Sequence, residues 1–492
     1  MRKGLKAAGY GTVLVGALLA LPAATGQQRA VSTASSISAQ DKAEGAKAHP
    51  QLLQEFGGPY AGPQAAYVTT VGRRIAVQSG LSNAQGDFTI TLLNSPVNNA
   101  FAIPGGYVYV TRQLMALMND EAELAGVLGH EVGHVAARHG QRRQKAATRN
   151  AIGGTLLQVL AGAVLGDSGL GNILQQGIGT ASQALTLKFS RSQEYEADDL
   201  GVRYLANAGY DPRALSSTLA SLAAQNALDQ RQIGSSRTVP EWASTHPDPA
   251  ARVSRALQRA NATGARSTLR NRDAFLAALN GTLYGDDPQQ GVIVGQKFSH
   301  PGLKLSFTIP SGYTMENGTS AVSITGANGQ ARFSGGSYNG DMTAYIGQVF
   351  SDLAKNASIN PDAIRRTTIN GIPASYASAR ANAQSGPVDV TVFAYEFAPK
   401  TAYHFILITP AGRGTAPFDP MLTSLQRLSA QEIAAIKPRR INVVTVKAGD
   451  TVASLSARMA YPDYREDRFR VINALPSGGT VRVGQKVKIV TF

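Results

Sequence analysis

Apolar residues recur at steps of three and four through the stretch Asn119–Gly140, at Ala122, Ala125, Leu128, Val132 and Val135, and this spacing predicts an amphipathic helix. Asp120 followed by Glu123 supplies a capping-box start, and Gly140 a natural stop. Helical spacing also covers Tyr67–Ser79 and Ser192–Leu205, and Asp211 caps a further helix that runs to about Asp229. Phe88, Ile90 and Leu92 alternate and predict a strand over Phe88–Leu93. A second strand, Phe101–Val110, is interrupted by Pro104-Gly105-Gly106, and proline inside a strand favours a sheet edge. Ala151–Gly179 is apolar and glycine-rich, but its longest run, Gly153–Gly166, is too short to cross a bilayer. It reads as a helical pair or a lid, with peripheral membrane contact as the alternative. Past Tyr284 strands dominate, at Leu303–Ile309, Ala321–Thr325, Pro387–Phe397 and Ala402–Thr409, with helical stretches at Met342–Lys355 and Pro417–Leu428.

These elements predict an α+β multidomain protein. Residues 60–280 form a mainly helical domain with a small edge-stranded sheet, 281–435 an antiparallel α+β domain, and 436–492 a small module. Residues 27–59, rich in Ala, Ser and Gln, read as a leader or a loosely packed helix. Residues 1–26 read as a secretory signal: Arg2, Lys3 and Lys6, then the apolar run Ala7–Leu21, then the small residues Ala24-Thr25-Gly26. An uncleaved anchor is the alternative.

Composition narrows the picture further. The chain has no Cys, which excludes disulfides, a thiolate metal site and lipidation of the leader. It carries 47 basic and 32 acidic side chains, a net charge of +15, of which the expected signal holds Arg2, Lys3 and Lys6. The cations are dispersed, without a basic run interleaved with aromatics, so no nucleic-acid partner is expected. A basic surface suits anionic envelope polymers or membrane headgroups.

The candidate chemistry lies in the first helix. His130-Glu131-Val132-Gly133-His134 is an H-E-x-x-H motif, and residues four apart share a helix face, so both imidazoles can point at one ion. A catalytic zinc keeps three protein ligands plus a water, and Glu131, one step round the helix, is placed to take a proton from that water. Glu194 and Asp198, again four apart, supply a third ligand and a carboxylate that fixes the tautomer of a ligating histidine, expected to be His130. One zinc ion per chain is implied. Glu196 reads as a solvated charge. His139, five past His134, reads as a charge complementing the helix dipole rather than a ligand.

The motif His130–His134, the run Arg191-Ser192-Gln193-Glu194-Tyr195-Glu196-Ala197-Asp198, the Ser244-Thr245-His246-Pro247 stretch with Arg252, and Asn99–Tyr107 together resemble the gluzincin metallopeptidases of the CAAX-prenyl-protease/HtpX type, nearest to their soluble periplasmic, BepA-like members. The resemblance covers roughly residues 60–280. It implies a zincin-type domain and a periplasmic zinc metalloendopeptidase acting on misfolded or stalled envelope proteins, outer-membrane proteins included. It places His246 and Arg252 at the active site: His246 as an oxyanion stabiliser or a fourth zinc ligand, Arg252 as an alternative oxyanion stabiliser. It tips Asn99, Ala100 and Phe101, on residues alone equally a plain hairpin, toward an edge that aligns substrate. Val443–Phe492 resembles a LysM module with a βααβ order, on Thr445–Thr451, Phe469–Leu475 and Val483–Ile489. Its long, arginine-rich inter-helix connection (Arg465, Arg468, Arg470) departs from that pattern and leaves peptidoglycan binding and plain packing both open. The rival reading of the whole chain is an envelope chaperone or cell-wall binding protein with a gated zinc site.

Overall fold

The computed structural model describes residues 36–81, 83–143, 189–232, 246, 248–353, 360–383 and 386–492. The expected signal at 1–26, the glycine-rich stretch 151–179 and most of the segment around His246 lie outside these residues. Among the described residues no helix is long and apolar enough to cross a membrane.

The N-terminal part begins with α1 (Ala39–Glu55) and α2 (Pro63–Ala76), followed by β1 (Thr89–Leu93), β2 (Ala100–Ile103) and β3 (Tyr107–Thr111). The strand expected over Phe101–Val110 is a hairpin. Pro104-Gly105-Gly106 makes its turn, with Gly105 and Gly106 at φ of 89° and 84°, where only glycine sits without strain. The sheet order is β1-β3-β2, with β1 parallel to β3 and β2 antiparallel, so β2 is an outer strand. Helix α1 is more than a leader: Leu52 is buried, Phe56 packs on Phe101, and His49 Nδ1 lies 2.7 Å from the Tyr109 hydroxyl.

The motif helix is α3 (Glu121–Ala136), almost wholly buried between α2, the sheet and three following helices. These are α4 (Arg191–Asn207), α5 (Ala214–Arg231) and, after α6 (Pro249–Ala262), which packs on α4 and α5, α7 (Arg272–Leu279). Asp120 caps α3 by accepting the Glu123 N–H at 3.0 Å, while the Glu123 carboxylate reaches back to the Asn119 N–H at 2.7 Å.

Next come β4 (Val292–Val294), β5 (Lys297–His300), β6 (Leu305–Thr308), β7 (Thr314–Asn317), β8 (Val322–Gly326) and β9 (Gly329–Ser337). Then follow α8 (Met342–Leu353), β10 (Arg365–Ile369), β11 (Ile372–Ala383), β12 (Gly386–Ala398), β13 (Thr401–Pro410), α9 (Asp419–Ser424) and β14 (Gln426–Arg427). An antiparallel sheet runs β10-β11-β12-β13-β9-β8-β7, and a smaller one β14-β6-β5-β4. Phe333 and Phe405 of the first pack on Phe307 of the second, while Ile346 and Phe350 of α8 cover the opposite face at Val390 and Val392. The helix expected over Pro417–Leu428 stops at Ser424, because Gln426 and Arg427 pair with β6 instead.

The C-terminal module has the expected order: β15 (Arg440–Thr445), α10 (Val452–Ala457), α11 (Arg465–Ile472) and β16 (Lys486–Thr491), with β15 antiparallel to β16. It is not a tethered appendage. Leu455, Phe469 and Ile489 join the core that holds α2 and α3. The fully buried Lys488 donates its ammonium to the carbonyls of Ala116, Leu117 and Met118 at 2.8, 3.3 and 2.5 Å, just ahead of α3. Burial pushes that ammonium down to about 7, against the pull of Glu123.

Candidate metal centre

Helices α3 and α4 cross closely because small residues face each other. A Cβ on Gly201 would sit 3.1 Å from the His130 backbone nitrogen, and one on Gly133 3.1 Å from Leu200 Cβ. That approach brings the carboxylates of α4 under the imidazoles of α3. The His130 and His134 Nε2 atoms lie 3.0 Å apart, and each is 3.6 Å from a Glu194 oxygen. His246 Nε2 lies 3.4 Å from Glu131 Oε1. One ligand atom from each of His130, His134, Glu194 and His246 falls within 4.8 Å of the others, and all four residues are buried. Two tetrahedral zinc ligands stand roughly 3.3 Å apart, so the set matches the size of such a centre.

The charges fit a cation as well. The carboxylate oxygens of Glu131 and Glu194 are buried and accept no hydrogen bond among the described residues. Bare buried carboxylates are costly unless a cation or donor meets them. Arg252 Nη1 meets Glu194 Oε2 at 2.7 Å, which still leaves an acceptor-rich pocket.

Behind the ligand atoms lie two sets of partners. His130 Nδ1 lies 3.0 Å from Asp198 Oδ1, the pairing expected from the sequence. Asp198 in turn accepts Arg252 Nε at 2.8 Å and Nη2 at 2.6 Å. Burial opposes the charge on Asp198, but Arg252 outweighs it and holds the carboxyl well below the usual range. Burial likewise opposes a charged His130, and Asp198 overcomes it, raising that histidine. His134 goes the other way: burial and the neighbouring His130, His139, His246 and Arg252 keep it neutral.

Several residues sit otherwise than the sequence suggested. Arg252 turns its guanidinium onto Asp198 and Glu194 rather than toward a substrate oxygen, so it holds carboxylates in place. Phe101 is buried between Phe56 and Tyr109, at ring distances of 4.9 and 4.7 Å, because strand alternation points it at the face α1 covers. Ala100 is buried too, and the Asn99 carbonyl accepts the Thr111 N–H at 2.9 Å. These three side chains pack the hairpin; what β2 presents is its outer backbone edge beside α3. His139 is not a charge at a helix end. The helix breaks before Gly140, at Ala137 and Arg138, with Arg138 at φ 54°, and helical structure resumes at His139. This break swings a fully buried His139 back onto His134, Nδ1 to Nδ1 at 2.9 Å, and burial pushes its pKa down to about 4. Glu196, expected as a solvated charge, lies 3.2 Å from His139 Nε2 and accepts Arg142 at 2.7 Å. The sequence signal for this pair was present: Glu194, Glu196 and Asp198 alternate on one helix while a third histidine trails the motif.

Two helices that deliver two histidines and a glutamate to one point, with a glutamate beside them, define the metallopeptidase class of site. Residues 63–260 match the model of peptidase family M48 and residues 444–490 that of the LysM domain, so the chain carries a peptidase M48 domain and a C-terminal LysM domain. A beta-barrel assembly-enhancing protease of Yersinia pestis is 32% identical over 231 residues, which cover 45% of this chain and 44% of that protein. The mitochondrial metalloendopeptidase OMA1 of Schizosaccharomyces pombe is 32% identical over 210 residues, 42% of this chain and 57% of its own. The metalloprotease YcaL of Escherichia coli is 38% identical over 132 residues, covering 25% and 47%. The chain thus spans about half the length of these relatives. A solved structure from Bacteroides thetaiotaomicron covers 41% of this chain and 87% of its own, but at a TM-score of 0.24 and 13% identity it carries no argument.

Proposed function

We propose that the chain is a zinc-dependent endopeptidase of the bacterial envelope that hydrolyses misfolded or stalled envelope proteins. One observation carries this reading: the ligand atoms of His130, His134 and Glu194 converge, beside buried Glu131 oxygens that accept no hydrogen bond among the described residues. His130, His134 and Glu194 would hold one zinc ion, which supplies Lewis acidity toward a peptide carbonyl and toward water. Glu131 takes the proton of the attacking water and returns it to the leaving amine. Asp198 and Arg252 fix the His130 ring and the Glu194 carboxylate. The outer edge of β2 aligns an extended peptide through its backbone, which suits unfolded substrates of many sequences. Relatives named as a beta-barrel assembly-enhancing protease and a mitochondrial metalloendopeptidase support an envelope quality-control role, and the LysM domain supports contact with peptidoglycan. The signal-like leader supports a secreted, periplasmic location.

The test is zinc content and casein cleavage on the wild type and on Glu131→Gln. Zinc in both with cleavage only in the wild type is expected, the variant losing about 10²–10⁴-fold. Absence of zinc from both would sink the metal-centre reading.

One observation favours a second reading, a chaperone-like binder with a gated site. His246 joins the donor cluster, where as a fourth ligand it would take the position that a substrate or water needs. Under this reading His246→Ala raises casein cleavage, while Glu131→Gln leaves the cellular phenotype of the wild type unchanged.

A further inference from the structure

The two ligand histidines are backed differently, and the second backing has no part in the reading above. His130 rests directly on a carboxylate, Asp198. His134 rests on a third imidazole, and that imidazole rests on a carboxylate: His134 Nδ1 to His139 Nδ1 at 2.9 Å, then His139 Nε2 to Glu196 Oε2 at 3.2 Å. Arg142 fixes Glu196 from outside at 2.7 Å. The chain is held on its flanks as well. The His139 carbonyl accepts Gln193 Nε2 at 3.1 Å, and the Phe189 ring stacks on His134 with centroids 4.0 Å apart.

The direction of each hydrogen bond follows from valence. Two nitrogens at 2.9 Å need one donor and one acceptor. His134 presents Nε2 to the donor cluster, so that nitrogen keeps its lone pair and the ring proton sits on Nδ1. His139 Nδ1 must therefore accept, and His139 carries its own proton on Nε2. Glu196, an acceptor only, receives it. Every atom in the series has one consistent role, and the series ends on a charge anchored by Arg142.

We propose that His139 is a positioning residue for the metal centre, with Glu196, acting through His134 by setting its tautomer and ring orientation. The proposal rests on the zinc reading above. Glu194, Glu196 and Asp198 then form a functional ladder on α4: one carboxylate for the ion and one for the outer nitrogen of each histidine system. Partners of this kind, when removed, weaken metal affinity by about 10–100-fold.

The experiment is zinc affinity by chelator competition on the full chain. His139→Leu removes the acceptor and is expected to bind zinc about 10–100-fold more weakly. His139→Asn, whose side-chain oxygen stands close to the place of Nδ1, is expected to recover most of the loss at matched thermal stability. Glu196→Gln, a change at a partly exposed group, should show a smaller loss in the same direction. In nitrogen-15 histidine spectra of the wild type, His139 should be the Nε2–H tautomer. Wild-type affinity in His139→Leu, or a proton on His139 Nδ1, would overturn the proposal while leaving the zinc reading intact. A wild type that binds no zinc would overturn both. Should His139→Leu fail to fold, Glu196→Gln and the wild-type tautomer decide.

Discussion

The two ends of helix α3 are equally buried and equally crowded with charge, yet they are built on opposite rules. At the first turn every acid is answered. Glu121 accepts Tyr67 at 2.5 Å, Tyr210 at 2.6 Å and Asn271 at 2.8 Å. Arg270 clamps Asp120 at 2.7 Å and Glu123 at 3.2 Å. About three turns on, the buried oxygens of Glu131 accept no hydrogen bond among the described residues, and the buried Glu194 has one close cation, Arg252 at 2.7 Å. The energy of leaving a buried acceptor unmatched is about 1–3 kcal/mol per group, more for a charge. A fold that satisfies one end so fully and leaves the other short of donors has room at that second end for a cation. The satisfied end is architecture, and its carboxylates are not candidates for chemistry.

That contrast can be broken most sharply by a crossed pair of substitutions. Glu194→Ala should abolish stoichiometric zinc and destabilise the metal-free protein less than the first-turn change does, since Arg252 loses one ion pair but keeps both hydrogen bonds to Asp198. Glu121→Ala should do the reverse. It strands the buried Tyr210 hydroxyl, the half-buried Tyr67 hydroxyl and the Asn271 amide, costing about 3 kcal/mol of stability, with zinc stoichiometry retained. Calorimetry with metal analysis checks both, and zinc loss in Glu121→Ala would mean that the first turn belongs to the centre after all.

A smaller effect sharpens the comparison from outside the peptidase domain. His404 is buried with both nitrogens answered by neutral groups, Tyr345 at 2.8 Å and Ser334 at 3.2 Å. Burial, with Arg332 nearby, pushes it down to about 4. The unfolded chain therefore binds the extra proton between about 4 and 6.5, so stability is complete above that window and falls as pH drops into it. Between pH 7 and pH 5 the loss should be about 2 kcal/mol, read as a lower melting temperature that His404→Gln largely removes.

The histidine spacing and the pair Glu194 and Asp198 were legible because one helix carries each, and four-residue spacing fixes a shared face within a helix. The long strands Gly386–Ala398 and Thr401–Pro410 were legible for the same local reason, apolar alternation. What escaped was set by contacts distant in sequence or by a single backbone angle. Helix α1 has few apolar residues and an internal Pro50, so nothing in its composition announces that Leu52 and Phe56 seal the hairpin. The direction of Arg252 depends on how α6 packs against α4. The role of His139 turns on one left-handed residue, Arg138, that no periodicity encodes.

Lys488 lies 372 positions beyond Ala116, whose carbonyl it meets. A chain is made from its N-terminus, so the segment that leads into the motif helix exists long before its partner does. Until β16 arrives, the carbonyls of Ala116, Leu117 and Met118 lack their donor and the apolar face under α11 stays open. Closing so distant a contact is slow relative to forming local helices. The order of synthesis thus leaves the lead-in to the motif helix without this donor until the final strand of the LysM domain has been made.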